Sequence, residues 1–181
     1  MVAKTVGVGI LLVFGLLNRA VAAETIDVTK DVKEAQETIA VFKKADPELS
    51  RLFDNAVGYA VFPTVVKGAV GVGGANGSGI VFEKGKAVGK ASLTQATIGA
   101  QAGGQNYSEV IFFETVPAFT DFKKGALALA AQVSAVAASA GASKNVKYQK
   151  GVAVFTIGKG GLMAEASVGG QKFSFEPFGK K

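Results

Sequence analysis

Cysteine, histidine and tryptophan are all missing from this 181-residue chain. Without cysteine no disulfide can form, so stability must come from burial. Without cysteine and histidine, most zinc sites, cysteine nucleophiles and histidine-based triads are excluded. No catalytic residue, metal ligand or cofactor is expected, and the chain reads as a binding protein, not an enzyme. Carboxylate chemistry stays open. The acids after residue 58 are Glu83, Glu109, Glu114, Asp121, Glu165 and Glu176. A glycosidase-like pair needs two carboxyls within about 10 Å. No pair stands out, and the spacing places these acids at solvated strand ends.

Long apolar runs are scarce too. Val6–Leu17 is the main one, preceded by Lys4 and followed by Ala20-Val21-Ala22. A positive start, a short apolar stretch and a small-x-small site are the pattern of a secretory signal. The run is shorter than the ~20 residues a membrane span needs. The expected division is a signal peptide at 1–22 and one domain at 23–181, exported to the periplasm or envelope of a bacterium.

What remains is rich in glycine, with 24 in the chain, and in charge of uneven sign. Residues 23–54 hold 8 acids and 5 bases, whereas residues 55–181 hold 6 acids and 13 bases. The basic excess favours anionic partners. Outside the cytoplasm these are lipid headgroups or glycans, and no nucleic acid is expected.

Residues 28–44 predict an amphipathic helix, since Val28, Val32, Ala35, Ile39 and Phe42 form one apolar stripe. Asp31 and Glu34 read as a capping box at its start. Its mixed polar face favours packing on a sheet over insertion into a membrane. Asp46-Pro47-Glu48 starts a second short helix carrying Leu49, Leu52 and Phe53. From Gly58 the pattern turns to strands. Asn76-Gly77 predicts a hairpin between Val70–Gly74 and Gly79–Glu83, and Lys84-Gly85-Lys86 the next turn. One or two strands are expected in Ala87–Gly103, a central strand in Tyr107–Glu114, and a helical turn or two in Pro117–Lys124. Leu127–Ala138 alternates as a strand does. Val146–Ile157, Gly161–Val168 and Gln171–Glu176 read as a terminal meander. Gly58–Phe62 and Gly151–Phe155 echo one another, which reads either as two related hairpins facing each other across a barrel or curved sheet or as chance similarity in a chain rich in glycine, alanine and valine. The predicted class is α+β: helices at 28–54, then a glycine-rich, mostly antiparallel curved sheet or barrel-like β body at 58–176. Glycine weakens strands, so this density implies close backbone approach, bends or bulges.

Two glycine motifs fail as phosphate loops. In Gly71-Val72-Gly73-Gly74-Ala75-Asn76, asparagine occupies the third glycine position of a dinucleotide fingerprint, and no long helix follows. Gly158-Lys159-Gly160-Gly161 lacks the Lys-Ser/Thr ending and the helix.

The order Gly58-Tyr59-Ala60-Val61-Phe62-Pro63, Lys67-Gly68, Gly71–Gly74, Gly99–Gln105 with Val110-Ile111-Phe112-Phe113, and Gly158–Gly170 resembles the SYLF lipid-binding domain. The resemblance spans most of residues 30–176. It implies two helices before a glycine-rich β body, and binding to acidic phospholipid. The segment Lys84–Leu93 departs from the family in lacking a tryptophan and a proline, and no lipid-attachment cysteine is present. Some fungal members bind actin, an activity not carried over to an exported bacterial protein. Lys67, Lys84, Lys86, Lys90 and Lys159 are the candidate contacts to an anionic phospholipid surface. The alternatives are a carrier holding a hydrophobic ligand in a β cavity, and an envelope structural or protein-interaction module. In the Gly99–Gln105 segment, Gln101 and Gln105 are expected in buried hydrogen-bonding roles.

Overall fold

The computed structural model describes residues 9–70, 72–98, 103–129, 134–159 and 166–179. Its class is α+β, as the sequence predicts. Helix α1 (Gly9–Ala45) and helix α2 (Leu49–Asn55) precede the strands β1 (Gly58–Val70), β2 (Val72–Glu83), β3 (Lys86–Ile98) and β4 (Gly103–Phe113). Helix α3 (Val116–Lys123) and the strands β5 (Ser134–Ala137), β6 (Val152–Gly158), β7 (Ala166–Ser167) and β8 (Gln171–Pro177) follow. The sheet order is β7-β5-β6-β4-β1-β2-β3-β8, and every pairing is antiparallel except β5 with β6.

Each face of the sheet buries its own cluster. On one face Tyr59, Val61, Ile80, Phe82, Val110, Phe112 and Phe155 pack under Ala35 and Phe42 of α1 and Leu49, Leu52 and Phe53 of α2. The predicted apolar stripe of the first helix is therefore spent on the sheet. On the other face Phe62, Val65, Leu93, Tyr107, Ile111, Phe113 and Phe173 pack with Phe119 and Phe122 of α3. The sheet curls around this second cluster. Phe122 touches both Phe113 on β4 and Phe173 on β8, with ring centroids 4.8 and 5.3 Å apart, although three strands separate β4 from β8. Beyond β8, Leu129 exchanges backbone hydrogen bonds with Gln171 and Gly170, and the chain then reaches β5, which lies beside β6. Leu129 thus lies at one edge of the curl, and Ser134–Ala137 near the other.

Glycine permits the curvature through close approach. A β-carbon at Gly79 would lie 2.4 Å from the Val61 carbonyl oxygen and 2.7 Å from the Phe62 ring, and one at Gly89 2.5 Å from the Phe175 ring. Pro63 has no N–H to give the ladder. The register of β1 shifts there, and the bulge lets Phe62 and Val65 both point into the concave side.

Several expectations are corrected. Helix α1 begins well before Asp31, because the alanine-rich sequence ahead of it continues the helix. Asp31 is therefore not a cap, and its carboxylate meets Lys90 at 2.6 Å. Asn76-Gly77 lies in the middle of β2, paired with Val66 and Val65; Val70 pairs with Val72, and the next turn is at Lys84-Gly85. The last strands do not form a meander: β6 pairs with β4, whereas β8 pairs with β3 at the opposite edge. The echoing segments flank β4 on its two sides, Tyr59 and Ala153 both opposite Phe112, and do not face one another. Helix α3 and the Lys84-Gly85 turn occur where the sequence places them. Residues 99–102 and 160–165 of the glycine motifs lie outside the described residues, as does Gln101. Gln105 is exposed.

Candidate functional site

The five candidate lysines occupy three separate regions. Lys84 and Lys86 are exposed at the β2–β3 turn, where Lys84 and Gly85 both take positive φ as a two-residue hairpin requires. The same end of the body carries the C-terminus of α3. Lys123 binds Glu83 at 3.4 Å, which sets Lys124 beside the turn. Lys150 precedes Gly151, whose backbone packs against Thr115 and Ala118 at the start of α3. Val116, the first residue of α3, is 63% exposed. Four exposed lysines and one exposed valine therefore share this end.

Lys67 and Lys159 lie toward the other end of β1, roughly 30 Å away at ~3.3 Å per residue. Lys67 is half-buried on the concave face. Desolvation lowers its pKa, and the neighbouring Glu109 charge opposes that shift. The Lys159 ammonium donates to the Thr64 hydroxyl at 2.6 Å. Lys90 stands apart in a groove of about 1030 Å³ between α1 and strands β2, β3 and β8. Its ammonium meets Asp31 at 2.6 Å and Asp27 at 3.3 Å. The Asp31 hydrogen bond leads the causes that raise its pKa. With Glu34 and Glu176 also lining it, the groove is acidic, and its floor is a register-aligned row of hydroxyls, Thr64, Ser78, Ser92 and Ser174. It is unlike the apolar β cavity of the carrier reading. On the concave side, the described residues bring phenyl rings together.

The sequence missed a polar cluster inside the curl. Glu109 is fully buried, not a solvated strand end. It stands inward on β4, two residues from the inward Tyr107, and its register partner on β6 is Thr156. From β8 the Gln171 Nε2 donates to Glu109 Oε2 at 3.0 Å. Burial pushes the Glu109 carboxyl up to about 7, against the lowering effects of Gln171 and Lys67. Burial, and then the Glu109 charge, raise the Tyr107 phenol. Gln171 approaches that phenol closely enough to favour its ionised form, but not in bonding geometry. Tyr107 Oη, Glu109 Oε1, Thr156 Oγ1 and Gln171 Oε1 are buried with no hydrogen-bond partner among the described residues. The signal available in the sequence was an acid at an inward position of the apolar run Tyr107–Phe113.

Residues 94–177 match the family described as "Ysc84: Las17-binding protein actin regulator". Over 157 residues the chain is 32% identical to "Beta cell expansion factor A" of Aeromonas veronii, covering 80% of this chain and 58% of that protein. The chain belongs to the Ysc84, or SYLF, family. It spans little more than half the length of that relative. The stretch matched to the SYLF family holds β4, α3, β6 and β8, and with them Tyr107, Glu109, Thr156 and Gln171. Among the candidate lysines only Lys159 falls inside it. SYLF domains are in general binding domains, and this one is assigned to that broad class.

Proposed function

We propose that this SYLF domain binds anionic phospholipid surfaces through the end of the body that carries Lys84, Lys86, Lys124 and Lys150. The observation that carries this reading is the convergence of three chain turns at that end, with Val116 exposed among them. Each lysine near an anionic membrane contributes about 1 kcal/mol, and the attraction falls off within a Debye length. A small apolar side chain between them suits shallow contact with the headgroup layer. Lys67, Lys90 and Lys159 are left out: one is half-buried beside Glu109, one is held by two aspartates, and one is bound to Thr64. The expected secretory signal places the activity at the bacterial envelope, and actin is left out for that reason.

Co-sedimentation with phosphatidylglycerol-containing and pure phosphatidylcholine vesicles tests the proposal. Anionic vesicles should bind at low salt and release the protein as salt rises. Lys84→Glu/Lys86→Glu should weaken binding by about 30-fold, the equivalent of ~2 kcal/mol. Equal binding to both vesicle types, or an unchanged double variant, sinks it.

A further inference from the structure

We propose that one copy of this domain holds two anionic bilayers together, through a second basic patch at the end of α1. The inference rests on the membrane reading of the lysine end. Among the described residues the exposed large apolar side chains are Val41, Val66 and Val116. Val116 lies among the lysines already described. Val41, 52% exposed, stands three residues before the exposed Lys44, and residues at that spacing are side by side on a helix. Asp46 brings a distant lysine to the same place. Its carboxylate accepts from the Gly141 N–H at 3.2 Å and the Ser143 N–H at 2.8 Å, which seats the 3-10 turn Ala142–Asn145 against the end of α1. Lys144, exposed on that turn, therefore joins Lys44. Lys43 beside them rests over the Phe53 ring at 5.2 Å.

The acids nearby do not cancel this charge. Glu37 pairs with Lys33 at 3.8 Å, and Asp46 is buried under the N–H groups it binds. Glu48 is the exposed acid of the junction, against the three lysines. The patch therefore selects an anionic partner, and a valine between lysines repeats the pattern of the first patch. A bilayer with acidic headgroups satisfies both features. The layers of the fold set the two patches apart. Helices α1 and α2 pack on one face of the sheet and α3 on the other, so Val41 and Val116 stand on helices in opposite layers. Helix, sheet and helix stacked at about 10 Å per step leave roughly 20 Å between the outer layers. That exceeds the Debye length of ~8 Å at physiological salt, so a surface held at one patch attracts the other only weakly. The second patch is left for a second surface.

Clustering of vesicles tests this separately from binding. The full chain is mixed with phosphatidylglycerol-containing vesicles at low salt, and the same samples are read by co-sedimentation and by dynamic light scattering. Wild type should bind the vesicles and cluster them. Clustering should fall again when protein is in large excess, because every vesicle is then coated. Lys44→Glu/Lys144→Glu should bind within about threefold of wild type through the intact lysine end, and should lose the clustering. Lys84→Glu/Lys86→Glu should lose it too, since one patch is left. Both variants change exposed side chains and should melt with wild type. Binding without clustering by wild type overturns the proposal and leaves the membrane reading standing. Clustering that survives Lys44→Glu/Lys144→Glu overturns it as well, because the lysine ends of an oligomer would then form the bridge. No binding to anionic vesicles at all sinks the membrane reading, and the bridge with it.

Discussion

Two buried carboxylates in this domain have opposite environments and should have opposite pH dependences. Asp46, between α1 and α2, is fully buried. Its oxygens accept from the backbone N–H groups of Ser143 at 2.8 Å, Gly141 at 3.2 Å and Glu48 at 3.2 Å. Burial alone would raise its pKa. The groups it faces at Ser143, Gly141 and Glu48 outweigh burial, and the net shift is downward. A folded pKa below the unfolded one gives stability that is present above about pH 4 and lost as pH falls further. Asp46→Ala leaves three N–H groups without their acceptor and should cost about 3 kcal/mol, measured by urea unfolding. Glu109 is the reverse case. Its folded pKa of about 7 lies above the ordinary 4.5. Between those values the native state binds more protons than the unfolded chain, so stability falls as pH rises through the window. The loss from pH 4.5 to 7 should approach about 3 kcal/mol, and a flat profile in denaturant melts would count against this burial energetics. Asp-Pro-Glu is a local signal that predicts Asp46 as the N-cap of α2, but the helix begins at Leu49 with Glu48 as its N-cap, and Asp46 accepts from the Glu48 N–H in the turn before it. Its bonds to Gly141 and Ser143 were not legible, since nothing local announces a partner some 95 residues away.

At the scale of elements, local signals held where no tertiary contact competed with them. Thr115 accepts from the Ala118 N–H and caps α3, which the Pro117 and phenylalanine spacing foretold. Asn76-Gly77 is a strong hairpin signal that the sheet overrides. Gly77 lies against Val65, whose methyl would be 3.0 Å from an added β-carbon, and Ala75 is buried on the concave side. A turn there would take both out of register, and a one-residue slip moves every side chain of β2 to the other face. Glycine density foretold curvature, but not which rings would lie over which glycines, because that depends on packing between distant strands. Gly79 tests the point. An alanine there meets a carbonyl oxygen at 2.4 Å, and backbone cannot swing aside as a side-chain tip can. Gly79→Ala should therefore destabilise by about 3 kcal/mol, at the upper end of overpacking costs, and should weaken the Phe62–Phe173 contact seen as an aromatic signal in near-ultraviolet circular dichroism. Gly68→Ala, with nothing within 4 Å of the added atom, is the control and should change stability by less than about 1 kcal/mol. Equal effects at the two positions would separate curvature from glycine placement.

At the scale of the whole molecule, charge and length bear on how the protein is made. Helix α1 has 37 residues, about 55 Å at 1.5 Å per residue. Its described contacts with the sheet come from its second half: Asp27 and Asp31 with Lys90, then Ala35 and Phe42 in the core. The expected signal cleavage after Ala22 removes none of them. It also leaves Glu24 and Asp27 near the new helix start, where negative charge is favourable by about 0.3–1 kcal/mol. The helix that remains therefore has its own electrostatic start and a docked apolar face. Cells expressing the full chain should accumulate an exported form beginning at Ala23, identified by intact mass and N-terminal sequencing. A chain produced from Ala23 should melt within a few degrees of the exported protein and bind anionic vesicles equally well. Export with residues 1–22 retained would instead make the first half of α1 an anchor. The basic patches would then no longer be the only features holding the domain at a membrane, and Lys84→Glu/Lys86→Glu would leave cell-envelope association intact while still weakening vesicle binding by the Ala23 form.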